Sequence, residues 1–429
     1  MKQHYVRTVS KNGMRLILVP QPSSVATTIL VMVEAGSKYE TKEINGISHF
    51  LEHMCFKGTT KRPRAIDLAG ELDGIGAEYN AFTGHEWTGY FVKVEKEKAE
   101  QALEIISDLY LNPVFDEDEI EKEKGVVIEE INMYEDTPMR KVGDLFTNLL
   151  YGDQPAGWDI AGSKEVIRSI TKDDFLKYRG AHYVAKATSI VVAGAFEPET
   201  FAKHIDRHFT TLTVGNKAGK VPTVESQEKP ALKLQHKDSD QTHLVLGCRA
   251  FSIEDKRRYA LDLLADILGG GMSSRLFQKV REEMGAAYYV RAGTDLFTDH
   301  GYFAVSAGVD HGKFDLVVKA ILSELKKTAT EAVSTEELSR TKEHLVGRLL
   351  LGLETSDAMA MYYGGQEVLR EKIVSPEELI EKIRKISARE IQALAQVIFK
   401  DEKLNMAVIG PFKEEGPLID LLQFREMSI

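Results

Sequence analysis

Apolar and polar positions alternate or recur along this chain in stretches that define its elements before any chemistry is considered. Residues 3–10 and Arg15 to Pro20 alternate as strands across a Lys11-Asn12-Gly13 turn. Thr27 to Val33 is a continuous β-branched and apolar run, as a central strand requires. Ile47, Phe50, Leu51, Met54 and Cys55 then recur at helical spacing, giving a helix that buries one side and shows a polar corner, with Asn45 as its expected cap. Ala65 to Leu72, Lys96 to Tyr110, Asp116 to Tyr134 and Lys141 to Leu150 read as further helices, and Glu78 to Phe82 and Glu86 to Val92 as two strands about Thr83-Gly84-His85. Short helices at Lys164 to Ile170 and Lys172 to Tyr178, a strand at Ala187 to Ala193 and a helix at Glu197 to Phe209 close the first half.

Periodicity is lost from Gly215 to Pro230, a stretch rich in Gly, Lys, Thr, Glu and Pro that reads as a linker. Beyond it the order of elements starts again. Strands at Leu232 to His236 and Gln241 to Cys248 precede a helix at Lys256 to Leu268, then strands at Gly285 to Gly293 and Gly301 to Gly308. Helices at Lys313 to Thr330 and Thr335 to Leu353, shorter helices to Ile398 and a strand at Leu404 to Ile409 follow. This order predicts an α+β protein of two similar repeats, residues 1–214 and 231–429, joined by 215–230. Aligning Leu30 with Leu244 sets Leu263, Asp266 and Ile267 opposite His49, Glu52 and His53, so both histidines are confined to the first repeat.

Composition narrows the class. With 429 residues, 43% hydrophobic and 28% charged, the chain is a globular protein long enough for two cores. A net charge of -11 argues against a nucleic-acid partner and is compatible with cationic ligands. No run of about 18 apolar residues suggests a membrane span. Cys55 and Cys248 lie in separate apolar stretches, as buried free thiols of a reducing compartment do. The first twenty residues carry no secretory pattern, and the expected location is cytoplasmic.

The candidate chemistry sits on the helix expected in the stretch Gly46 to Gly58. Two histidines four apart project from one face, so His49 and His53 can reach a single metal ion, with Glu52 on the flank of that face. Most glutamates of the helix at Asp116 to Tyr134 read as a solvated face. Glu123 and Glu130 stand apart because they are seven residues, two turns, from each other on one side; one can ligate while the other orients a histidine. His204 and His208 are also four apart but lack a carboxylate signature, and Gly269-Gly270-Gly271 lacks the Lys-Ser or Lys-Thr of a phosphate loop.

His49-x-x-Glu52-His53 followed by 76 residues and Glu130 resembles the inverted zincin signature of pitrilysin-type metallopeptidases, in the short bacterial branch similar to mitochondrial processing peptidase subunits. The resemblance extends to Ala77-Glu78-Tyr79-Asn80-Ala81-Phe82-Thr83, and to Ser274 through Tyr288 with its Arg281-x6-Tyr288 spacing. It implies one Zn2+ per chain held by His49, His53 and Glu130, Glu123 behind His53, and Glu52 as general base on the zinc-bound water. It further implies that Asn80, Ala81 and Phe82 pair with an extended peptide and that Arg281 and Tyr288 bind its backbone. The implied fold sets a mostly antiparallel sheet against helices in each repeat, the two together forming half of a clamshell chamber. The expected function is therefore a zinc endopeptidase acting on peptides or unfolded segments, working as a homodimer whose sites are completed in trans. A catalytically silent assembly subunit of the same fold is the alternative.

Overall fold

The alternating runs of the first half become six strands and eight helices in the computed structural model, which describes residues 5–424. Residues 3 and 4 of the expected first strand lie outside the described residues. The strands are β1 (Val6–Val9), β2 (Arg15–Pro20), β3 (Ala26–Val33), β4 (Glu78–Thr83), β5 (Thr88–Glu95) and β6 (Thr188–Gly194). The helices are α1 (Ile47–Cys55), α2 (Ala65–Gly74), α3 (Ala99–Leu111), α4 (Glu117–Glu135), α5 (Pro138–Tyr151), α6 (Lys164–Ser169), α7 (Lys172–His182) and α8 (Pro198–His208). After the linker come β7 (Ala231–His236), β8 (Thr242–Arg249), β9 (Ala287–Leu296), β10 (Gly301–Val309) and β11 (Leu404–Gly410). They are interspersed with α9 (Arg258–Gly269), α10 (Phe314–Thr330), α11 (Thr335–Gly352), α12 (Ser356–Arg370), α13 (Pro376–Lys385), α14 (Ala388–Ile398) and α15 (Gly416–Ile419).

The first sheet runs β1-β2-β6-β3-β5-β4, and the second β7-β11-β8-β10-β9. Each has one parallel pair, β2 with β6 and β7 with β11; every other neighbour is antiparallel. The five strands β2-β6-β3-β5-β4 therefore repeat as β7-β11-β8-β10-β9 in the same order and direction. The α+β repeat is present in both halves.

Two compact units emerge, and they interleave along the chain. The first runs from the N-terminus to Asn132 and adds Asp159–Val221 and Leu350–Ser375; the second is Met133–Trp158, Pro222–Leu349 and the chain from Pro376. Each sheet is thus covered on one face by a helix drawn from the other half of the sequence. In the first unit Ile29, Val31 and Val33 of β3 face the core shared with α1 and α3, while Leu30 and Met32 face α12 through Ala360, Tyr363 and Val368. This accounts for the unbroken apolar run of β3: a strand buried on both sides has no polar phase, and each such side chain contributes about 1.5–3 kcal/mol. Gly364 makes the close approach, since a Cβ there would lie 2.7 Å from the Met32 sulfur. Ion pairs then fix α12, Glu367 with Arg7 at 2.8 Å and with Arg15 at 3.1 Å, and Asp357 with Lys93 at 2.8 Å. In the second unit α5 plays the matching part, Val142, Phe146 and Leu150 packing with Val245, Ala407 and Ile409.

Residues Gly215 to Pro230 form neither helix nor strand, and Lys217 and Lys220 pin the start of this linker to the first unit. Lys217 meets Glu34 at 2.6 Å, and Lys220 meets the buried Glu86 at 2.6 Å. Both cysteines are buried and free. Among the described residues no helix is long and apolar enough to cross a membrane.

Candidate metal centre

The apolar side of α1 dictates where its polar corner points. Ile47, Phe50, Leu51, Met54 and Cys55 are buried, with Phe50 edge-on to Phe175 at 4.9 Å between ring centres. His49, Glu52 and His53 are left on the opposite side. The expectation that Asn45 caps this helix is corrected by the structure. Gly46 precedes Ile47 with φ 102, a left-handed conformation that glycine adopts without strain. The helix N-terminus is instead met by the buried Glu40, whose carboxylate accepts from the Gly46 and Ser48 amides at 2.8 Å each. Asn45 contributes side-chain bonds alone, to Glu40 at 2.9 Å and to the Asp159 carbonyl at 3.1 Å. A carboxylate serves the exposed amides and the positive end of a helix dipole better than an amide does, although burial pushes the Glu40 carboxyl up.

On α4 the buried positions Ile120, Glu123, Val127 and Ile131 form one stripe, which brings Glu123 and, two turns on, Glu130 to the side of α1. His49 Nε2 and His53 Nε2 each lie 3.5 Å from Glu130 Oε2. The imidazoles meet edge-on, 4.6 Å between ring centres. The three potential ligand atoms all fall within 4.8 Å of one another, the one such group among the described residues. Donors bound tetrahedrally at zinc distances are about 3.3–3.4 Å apart, so the spacing fits a divalent ion of that size. On the far side of His53, Glu123 Oε1 accepts from Nδ1 at 2.9 Å, which keeps that nitrogen protonated and turns Nε2 towards Glu130 and His49. Lys57 holds the other Glu123 oxygen at 2.5 Å.

Electrostatics within the cluster are uneven. Burial drives His49 down to about 4, helped by the charge of His53. Burial opposes charge on His53 too, but bonds to Glu123 and Glu130 outweigh it and raise the imidazole to about 9. Burial likewise pushes Glu123 up, and the bonds from His53 and Lys57 overcome it, leaving the carboxyl below its usual range. A proton on His53 competes with a cation for Nε2, so metal affinity is expected to fall as the solution is acidified. Glu52 is raised by burial, an effect partly offset by the Thr83 hydroxyl, which donates to Oε2 at 2.5 Å.

Asn80, Ala81 and Phe82 lie on β4, which pairs with β5 along one side and ends the sheet. Arg281 and Tyr288 belong to the second unit and take no part in the cluster. The Arg281 guanidinium stands 4.9 Å from the Phe277 ring and 6.0 Å from that of Tyr288, whose side chain is 73% exposed on β9. His204 meets Glu100 at 3.2 Å on the surface of α8 and joins no ligand group. Three contributors escaped the sequence reading: Glu40, Lys57 and Thr83. Lys57 lies just past the end of α1, four positions after His53, and the other two act across loops and strands.

Comparison with known proteins places the chain in a family. Residues 15–164 match the family model described as Insulinase (Peptidase family M16), and residues 169–345 the one described as Peptidase M16 inactive domain. A Bacillus subtilis protein named "Uncharacterized zinc protease YmxG" is 35% identical over 406 residues, covering 94% of this chain and 98% of that protein. The chain belongs to the peptidase M16 family. A Rickettsia bellii relative, also named a zinc protease, is 37% identical over 97% of this chain and all of its own length. Among solved structures, a protease from Helicobacter pylori superposes with a TM-score of 0.87 at 23% identity, over 95% of this chain and 99% of that one. A peptidase M16 inactive domain from Pseudomonas fluorescens superposes with the same TM-score of 0.87 at 18% identity, over 96% and 99%. At these identities the two likenesses speak to the fold, which is that of M16-like peptidases.

Proposed function

We propose that this M16 protein is a zinc endopeptidase that cuts peptides or unfolded segments. The observation that carries the reading is the meeting of His49 Nε2 and His53 Nε2 on a single Glu130 oxygen, with Glu52 beside them and its carboxylate already held by Thr83. His49, His53 and Glu130 would hold one zinc ion per chain, which supplies the Lewis acidity to polarise a scissile carbonyl and acidify water near neutral pH. The chain does the rest. Asn80 to Phe82 pairs with the backbone of an extended substrate, which fixes its register whatever its side chains. Glu52 takes the proton of the attacking water and returns it to the leaving amine, a role for which a carboxyl raised by burial is suited. Glu123 keeps the His53 ring oriented and its Nδ1 proton in place. A silent assembly subunit has no use for Glu52 in this position, and that separates the two readings. With zinc bound, Glu52→Gln is expected to lose about 10²–10⁴-fold in turnover of a generic fluorogenic peptide. Wild-type rates in the loaded variant would remove Glu52 from the mechanism.

The working unit we propose is a homodimer in which Arg281 and Tyr288 of one chain serve the zinc residues of its partner. Mixing Glu52→Gln with an Arg281→Ala, Tyr288→Phe variant, each nearly inactive alone, then restores up to about a quarter of wild-type activity, because half the dimers are mixed and each has one whole site. Verified exchange of subunits without recovery would place the whole site in one chain.

A further inference from the structure

We infer that Thr83 is the positioning residue of the general base and ties that base to the strand on which the peptide docks; this rests on the endopeptidase reading above. Thr83 is the last residue of β4, directly following the Asn80 to Phe82 stretch, and its hydroxyl donates to Glu52 Oε2 at 2.5 Å, not to the backbone of its own strand. The bond engages one carboxylate oxygen and leaves Oε1 for the proton of the attacking water. A donor is useful for positioning only when it is itself fixed, and Thr83 is. It stands opposite Thr88 in the β4–β5 ladder, and Thr88 Oγ1 donates to the Ala35 carbonyl at 2.9 Å. The turn that follows is closed by Gly84 N to Trp87 O at 2.8 Å. That turn lies backbone against backbone on the segment leaving β3, with Lys38 N donating to His85 O at 2.8 Å. Gly36 allows the approach, since a Cβ there would come within 2.3 Å of the Gly84 carbonyl oxygen.

The consequence is a mechanical link between docking and chemistry. A peptide added to the open side of β4 stiffens the strand that carries Thr83, and Thr83 in turn holds Glu52 in one rotamer. Freed of the hydroxyl, the carboxylate would rotate among several positions, and the bound substrate would meet the base in the right one only part of the time. Binding itself would be little changed, because the strand's backbone is intact.

The test uses the full-length, zinc-loaded protein and a fluorogenic peptide, with Thr83→Val, Thr83→Ala and Thr83→Ser compared singly and Thr83→Val also combined with Glu52→Gln. A hydrogen bond to a carboxylate is worth about 10–100-fold in rate. Thr83→Val and Thr83→Ala should each lower kcat by that factor with KM within about twofold, zinc content and Tm unchanged, while Thr83→Ser restores most of the loss. In the double variant Thr83→Val should add little to Glu52→Gln, since the two act as one unit. Wild-type kcat in Thr83→Val, a loss that follows zinc content or Tm, failure of Ser to rescue, or full multiplication of the two effects would each overturn the inference. A zinc-loaded wild type that cuts no peptide, or a Glu52→Gln variant as fast as wild type, would instead overturn the endopeptidase reading and the Thr83 inference with it.

Discussion

The two repeats carry the same pair of facing helices and put opposite chemistry between them. A shift of 214 positions takes His49, Glu52 and His53 on α1 to Leu263, Asp266 and Ile267 on α9, and Glu123 and Glu130 on α4 to Glu337 and His344 on α11. In the first repeat, two imidazoles on one helix meet a single carboxylate oxygen on the other, each at 3.5 Å. In the second, the order is reversed and the contact is closed: Asp266 accepts from His344 Nδ1 at 2.8 Å. Glu337, at the position of Glu123, supports no histidine and pairs with Arg275 at 2.7 Å. Gly270 packs on Asp266 so tightly that any side chain would collide with its carboxylate. The shared fold supplies two helices at a working distance, and four or five side chains decide whether they present a cluster of three donors or a single bonded pair.

The largest effect expected from breaking this contrast is on metal. Glu130→Gln removes a ligand and should abolish zinc binding, whereas Glu123→Gln, which disturbs only the orientation of His53, should weaken it about 10–100-fold. Equilibrium competition with a chelator of known affinity ranks the two; a fully loaded Glu130→Gln protein would shift the third ligand to another carboxylate. Asp266→Asn probes the other side of the comparison. It leaves zinc content at the wild-type value and lowers stability by about 1 kcal/mol in urea unfolding, because a part-buried hydrogen bond between α9 and α11 is exchanged for a poorly matched amide. Unchanged stability would show that packing alone holds that pair of helices.

The smallest effect contrasts two histidines. His344 has a carboxylate; His182, packed between the rings of Tyr39 and Tyr178, is pushed down to about 4 by burial and has no partner at Nδ1. Below about 6.5 the unfolded chain takes up a proton at His182 that the folded protein refuses until about 4, so stability declines as pH falls through that window. His182→Phe should flatten this slope relative to wild type in urea titrations at a series of pH values. An unaltered slope would mean that other groups set it.

Much of the site was legible because helical spacing is rigid: positions four and seven apart on a helix face one way wherever the helix is put, so His49 with His53 and Glu123 with Glu130 were readable as pairs. The repeat was legible too, since the order of strands and helices survives when identities do not. Long-range pairing was not. The apolar stripes of α5 and α12 announce burial but not which sheet they bury against, and each covers a sheet from the other half of the sequence. Asn45 satisfied the local rule for a cap, and Glu40 displaced it by reaching across a loop with two oxygens where the amide offers one. Thr83 was readable only as part of a turn, because its hydroxyl acts on a helix thirty-one residues away in sequence.

Two features define the proposed site: the metal sits on His49, His53 and Glu130, and Glu52 does not hold it. Zinc bound per chain, measured by elemental analysis after dialysis, tests both together. The predicted values are one for wild type, none for the His49→Ala, His53→Ala double variant, and one for Glu52→Gln. A double variant that kept its zinc, or a Glu52→Gln protein that lost it, would contradict the central claim.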